Sequence, residues 1–241
     1  EVMNYTVSDL RPYIDWTFFF IAWEMKKLYP DILEDSAYGK EAKKIFNDAN
    51  KMLDFIEENN IVDIKGVFGI FKANSNGDNI ELYNKDKSLA ATFNLFREQR
   101  KKNKGPYLCL SDFIAPKEIN KDDYLGGFIV TTGLKADEYA KKLEAEGDSY
   151  NAIMLKLVCD RLAEAFAEKL HEDIRKNYWG YAKDENLSMK EIFKASYRGI
   201  RPAFGYPSLI DQSQMKILFN LLNGEKVTGV KLTESYMMDP V

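Results

Sequence analysis

Val67-Phe68-Gly69-Ile70-Phe71, Asn74-Ser75-Asn76-Gly77-Asp78 and Ile80-Glu81-Leu82-Tyr83 follow one another as strand, turn and returning strand. Apolar and aromatic residues fill both arms. Asn76-Gly77 is the strongest hairpin signal in the chain, because a tight hairpin turn needs residues that tolerate positive φ. Outward from this hairpin, Leu89 to Phe93 adds another strand. Tyr124 to Thr132, rich in Gly, Val, Ile and Thr, reads as a further buried strand.

Both flanks change period to that of helices. Ala42, Ile45, Phe46, Ala49, Met52, Leu53 and Ile56 keep one face apolar at helical spacing. Before them, Phe18 to Met25 is apolar nearly all round and is expected to be buried, with Asp15 as its cap and Pro30 as its end. Ser8 or Asp9 is the expected cap of the short lead that precedes it. After the strands come a helix over 135–146 stopped at Gly147, and a long one from Ser149 to about Tyr178. The long helix has Ile153, Leu157, Leu162, Ala165, Phe166 and Leu170 on an apolar face. Asp160, Glu164, Glu168 and His171 mark a polar one, which makes His171 an exposed surface residue. Ser188-Met189-Lys190-Glu191 is a capping box for a short helix. Asp211 caps a last helix over 212–222, ended by Gly224, before an extended tail. Strands in the middle with helices at both ends predict an α+β fold around a largely antiparallel sheet.

Composition bounds the function. The 241 residues can bury a sizeable core, and 45% hydrophobic with 30% charged residues is the balance of a folded globular protein. Lys+Arg 34 against Asp+Glu 38 gives a net charge of −4 without a long basic block, which argues against nucleic acid as the main partner. The longest apolar run, Phe18 to Trp23, is far too short to span a bilayer, so no membrane association is expected. Cys109 and Cys159 sit in apolar surroundings, as buried free thiols of a reducing compartment do. With one histidine, His171, no zinc site of the usual ligands can be assembled, and no Ser–His–Asp set, dinucleotide fingerprint or P-loop is evident. Binding chemistry is the better expectation than covalent chemistry.

The binding residues are sought in Arg198-Gly199-Ile200-Arg201-Pro202-Ala203-Phe204-Gly205-Tyr206-Pro207, where two glycines and two prolines bar both helix and strand. The Arg201 fork can hold a carboxylate through two parallel hydrogen bonds. Gly205 lets backbone approach a ligand, and Tyr206 offers a flat face and a hydroxyl. A connector between helices whose arginine caps a carbonyl is the plainer alternative. Asp15, beside its apolar helix, is a helix cap that would also suit a ligand cation.

Several motifs together resemble the reactivation domain of cobalamin-dependent methionine synthase. They are Tyr13-Ile14-Asp15-Trp16-Thr17, Ser111-Asp112-Phe113-Ile114-Ala115-Pro116 and the run from Asp160 to Glu168. The likeness continues through Tyr178-Trp179-Gly180-Tyr181, Gly199-Ile200-Arg201-Pro202-Ala203, Gly205-Tyr206-Pro207 and Leu232-Thr233-Glu234-Ser235. The resemblance implies a cytoplasmic module of a methyltransferase that binds S-adenosylmethionine and presents it to cobalamin held by a neighbouring module. A flavodoxin or flavodoxin-like reductase would supply one electron to oxidised cob(II)alamin, and S-adenosylmethionine the methyl group. Among the residues that match the family's motifs, Arg201 would take the ligand's carboxylate, Asp15 a cationic or donor group, and the backbone at Ala203, Gly205 and Tyr206 the rest. Glu164 matches an acid that acts through water. Phe204 stands where relatives often carry proline, and the family continues past the position of Pro240. The chain is therefore expected to be a single activation domain, 1–241, that lacks a last C-terminal segment. A stand-alone S-adenosylmethionine-binding or regulatory protein, with the fold but no cobalamin partner, is the alternative.

Overall fold

The computed structural model describes residues 1–240; Val241, the last residue of the expected domain, lies outside them. The chain divides into two compact units. A sheet unit comprises Glu1–Val2, Gly66–Ile129 and Gly199–Asp239, and a helical unit comprises Met3–Lys65 and Val130–Arg198 with Pro240.

Five strands make the main sheet: β1 (Val2–Met3), β2 (Lys65–Asn76), β3 (Asn79–Tyr83), β4 (Leu89–Phe93) and β5 (Asp123–Thr131). The order is β1-β2-β3-β4, with β5 also paired to β2. β2 and β3 are antiparallel with Asn76 opposite Asn79, so the turn residues are Gly77 and Asp78, and Gly77 takes φ +60°. Asn76 is the last rung of the ladder rather than part of the turn. β3 and β4 continue antiparallel, and a short antiparallel ribbon joins β6 (Lys231–Leu232) to β7 (Met238–Asp239). The α+β expectation from alternating arms and flanking helical periods is met.

The sheet unit buries Val67, Ile80, Leu82, Phe93 and Ile129 against Leu218, Phe219 and Leu222 of α7 (Met215–Leu222). Small residues in the strands permit this: a Cβ built on Gly127 would fall 2.5 Å from Leu218 Cδ1. Asn223, at φ +51°, stops α7 in a left-handed cap, and Gly224 is the first residue of α8 (Gly224–Thr228). The expected stop at Gly224 is thus one residue late, because Asn also tolerates that conformation.

The helical unit contains α1 (Val7–Leu10), α2 (Trp16–Ala22), α3 (Gly39–Glu58), α4 (Lys135–Ala145), α5 (Ser149–Asp173) and α6 (Met189–Phe193). α5 is its axis: α1, α2, α3 and α4 all pack on it. The cap of α1 is Thr6, whose Oγ1 accepts from the Asp9 N–H at 3.1 Å while Asp9 accepts from the Thr6 N–H at 2.9 Å. Asp9 is therefore the third residue of a capping box and not the cap itself. α2 is not buried all round: Phe19 and Phe20 are sealed, but Phe18 and Ile21 are 57% and 47% exposed. A helix of two turns packed along one side can bury only one side. It ends at Ala22, with Glu24 in a positive-φ conformation, well before Pro30. On α5, Ile153 faces outward, while Leu162, Ala165, Phe166 and Leu170 are sealed as expected, together with Ala152, Met154, Leu155 and Val158. Among the described residues no helix is long and apolar enough to cross a membrane.

Candidate functional site

The arginine loop belongs to the sheet unit from Gly199 onward. It holds neither helix nor extended strand: Gly199 and Gly205 take φ +93° and +91°, a region closed to most side chains. The Ala203 carbonyl accepts from the Tyr206 N–H at 3.2 Å. The Gly205 N–H donates to the Leu209 carbonyl and the Leu209 N–H to the Tyr206 carbonyl, each at 2.8 Å. These bonds close residues 203–209 into a compact turn. Phe204 points back into the sheet-unit core, 6.5 Å from the Phe93 ring centroid. An inward phenylalanine thus anchors the turn at the position where relatives often carry proline. Ala203, Gly205 and Tyr206 face outward, Tyr206 with 62% of its surface exposed, while Arg201 is half-buried. The turn expected from the glycines and prolines is present, with Ala203, Gly205 and Tyr206 exposed.

Asp15 and Glu164 lie in the helical unit. Asp15 is the N-cap of α2: its Oδ1 accepts from the Thr17 N–H at 2.9 Å. The cap occupies one carboxylate oxygen and leaves the charge in place on a half-buried group. Glu164 is exposed on α5, just beyond Arg161, whose guanidinium carbon lies 5.9 Å from the Phe18 ring centroid.

A second charged constellation, not foreseen from the sequence, sits in the helical unit. Past Asp173, α5 widens into a π-turn over Ile174–Tyr178, with the Trp179 N–H on the Ile174 carbonyl at 2.8 Å. Arg175, on this turn, has no exposed surface. Its Nε donates to the two Glu185 carboxylate oxygens at 3.1 and 3.0 Å, its NH2 group to Oε1 at 2.5 Å, and its NH1 group to His171 Nδ1 at 2.8 Å. The guanidinium carbon lies 4.3 Å from the Tyr197 ring centroid, and the His171 ring meets Tyr197 edge-on at 4.7 Å. Arginine offers only donors, so in this bond His171 Nδ1 is the acceptor. His171 is therefore buried, contrary to its place on an otherwise polar helix face. The His171–Arg175 spacing of one helical turn was legible, but the π-turn that aims Arg175 inward was not. Both cysteines are buried as expected, and burial pushes the Cys159 thiol well above its ordinary range.

The larger concavity, about 1010 Å³, lies in the sheet unit beside α7, α8 and the β6–β7 ribbon, lined by Lys216, Phe219, Lys226, Lys231, Leu232 and Tyr236. A smaller one, about 300 Å³, is lined in the helical unit by Tyr181, Glu185, Tyr197 and Arg198. Neither contains a residue expected from the sequence to hold ligand, so volume alone does not mark the site.

An α+β scaffold thus carries an exposed turn beside the half-buried Arg201. The chain belongs to the family of vitamin B12-dependent methionine synthase activation domains, whose model matches residues 6–241. Among solved structures it is similar to the crystal structure of the MetH reactivation domain bound to AdoHcy. The identity is 46% over 100% of this chain and 74% of that one, with a TM-score of 0.95. The resemblance read from the motifs is thereby established.

Proposed function

We propose that this chain binds S-adenosylmethionine and supports reductive methylation of cob(II)alamin carried by a neighbouring module of a methionine synthase. The observation that carries this reading is the 46% likeness, over the whole chain, to a reactivation domain bound to AdoHcy. AdoHcy is what remains of S-adenosylmethionine once its methyl group has left. The presence here of a hydrogen-bonded arginine turn supports it further, because a zwitterionic amino-acid end needs an anchored cation.

In this reading Arg201 takes the ligand carboxylate, and the outward backbone at Ala203, Gly205 and Tyr206 contacts the remainder. Asp15 contributes its charge to a cationic or donor group of the ligand, and Glu164 acts through water. Cobalamin is the substrate of the reaction and is assigned to the neighbouring module, as a vitamin B12-dependent family implies. The balance is one electron from a flavodoxin-type donor and one methyl cation equivalent from the sulfonium. The C–S bond breaks and S-adenosylhomocysteine leaves. Family membership favours this modular role over a stand-alone regulatory protein, and both units are assigned to one activation domain.

Calorimetric titration with S-adenosylhomocysteine tests the site. Arg201→Ala is expected to weaken binding by about 2–5 kcal/mol, as truncating one partner of a desolvated charge pair does. Equal affinities for the two proteins remove Arg201 from the site.

A further inference from the structure

The buried Arg175 cluster lies close in sequence to the arginine turn, and the intervening chain is tied down on its way there. Arg175 holds Glu185 through its Nε and NH2 groups, and the Ala182 N–H donates to the Arg175 carbonyl at 3.0 Å. Tyr197 is clasped by both Arg175 and His171. The next residue, Arg198, has its carbonyl held by the Tyr181 hydroxyl at 3.2 Å, and its guanidinium carbon is 6.0 Å from the Tyr181 ring centroid. Arg201 follows three positions later, beyond Gly199 at φ +93°. A glycine there allows the backbone many directions, so whatever fixes Tyr197 and Arg198 limits where the loop can begin.

We propose that Arg175, with His171, Glu185 and Tyr197, is a positioning cluster that pre-orders the chain leading into the Arg201 turn. It does not touch ligand. It reduces the conformational freedom that ligand binding would otherwise have to remove, which raises affinity without adding a contact. A fully buried guanidinium is suited to this task. Its partners come from three separate points, α5, the segment after the π-turn and the segment after α6, and the Glu185 contact gives way only if an unpaired charge is left inside. The π-turn is the local device: it places Arg175 inward at the end of a long helix, a use to which such turns are often put near functional sites.

The inference rests on the functional reading above, and its test separates the two. Tyr197→Leu removes the ring that Arg175 and His171 clasp, and Tyr197→Phe restores the ring without the hydroxyl. Tyr181→Phe breaks only the bond to the Arg198 carbonyl and leaves the buried pair untouched, so it remains informative if the leucine variant does not fold. Two readouts are taken well below the melting temperature: S-adenosylhomocysteine affinity, and amide hydrogen exchange over residues 198–206 without ligand. Tyr197→Leu is expected to lose about tenfold in affinity, within the range carried by packed networks, and Tyr181→Phe about threefold. Exchange over 198–206 rises in both, and Tyr197→Phe behaves as the unaltered chain. Unaltered exchange and affinity in Tyr197→Leu and Tyr181→Phe overturn the positioning role. An unaltered chain that binds no S-adenosylhomocysteine overturns the functional reading, while the ligand-free exchange pattern still decides whether the cluster orders the loop.

Discussion

Arg175 and Arg201 carry the same guanidinium into opposite surroundings. Arg175 is sealed in the helical unit, held by Glu185 on one side, His171 on another and the Tyr197 ring at its face. Arg201 is half-buried in the sheet unit, in a stretch shaped by two positive-φ glycines and followed by outward Ala203, Gly205 and Tyr206. A charge enclosed with a full set of partners serves the fold, since any ligand would first have to displace them. One presented on a fixed turn can serve recognition, because its surroundings are ordered before the ligand arrives. The residue type is the same; the degree of burial differs, and the proposed roles differ with it.

The sharpest way to break this comparison is to truncate the buried member. Arg175→Ala strands the Glu185 carboxylate in the interior and should lower the unfolding free energy by about 3–5 kcal/mol. Urea denaturation of Arg175→Ala and Arg201→Ala side by side measures it. A larger stability loss at Arg201 would reverse the assignment.

A smaller effect belongs to the turn. At φ +91°, Gly205→Ala meets a left-handed backbone, with an expected cost of about 1–2 kcal/mol. The added methyl itself is not crowded, since the nearest atom to a Cβ there is Gln212 Nε2 at 3.8 Å. The change should therefore show in stability and in ligand affinity together, through the backbone alone. A variant with unchanged melting and binding would mean the turn is not held in that shape.

Asp15 separates charge from capping. Asn caps about as well as Asp, so Asp15→Asn should shift stability by no more than a few tenths of a kcal/mol. Ligand affinity should nevertheless fall if the carboxylate charge is used. Full affinity in the variant leaves Asp15 as the cap of α2 and nothing more.

The sheet unit has its own acid-sensitive point, and here the effect is smallest. Glu81 is held down to about 2 chiefly by Lys117, then by Tyr83 and Asn76. Its folded value lies below the ordinary one near 4.5, so its contribution is present above pH about 4.5 and is lost as pH falls towards about 2. Glu81→Gln should flatten the acid limb of a stability–pH profile; an unchanged limb would place that sensitivity elsewhere.

The reach of the sequence follows from how local each signal is. The β2–β3 hairpin, the apolar face of α3 and the Ser188 capping box all depend on neighbours within a few residues, and all are present. So is the turn around Gly205, whose glycines and prolines permit little else. What escaped depends on contacts far along the chain. His171 reads as exposed because its helix neighbours are polar; its burial is decided by Arg175 and by Tyr197, twenty-six positions away. Phe18 and Ile21 read as core because they are apolar, yet α2 has one packed side only. The ligand assignment at Glu164 rests on motif resemblance, since an acid on a solvated face looks ordinary by itself, whereas Asp15 beside its apolar helix already suits a ligand cation.

In the proposed function this chain supplies the methyl-donor half of a reaction whose cobalt half lies on another module. The direct measurement is the visible spectrum of the cobalamin-binding module, loaded as cob(II)alamin and given a reductant and S-adenosylmethionine, followed with and without this chain. Conversion to methylcobalamin that requires the chain, and that Arg201→Ala slows, is the predicted result. Conversion at the same rate without it, or none with a chain that binds S-adenosylmethionine, would overturn the proposed function.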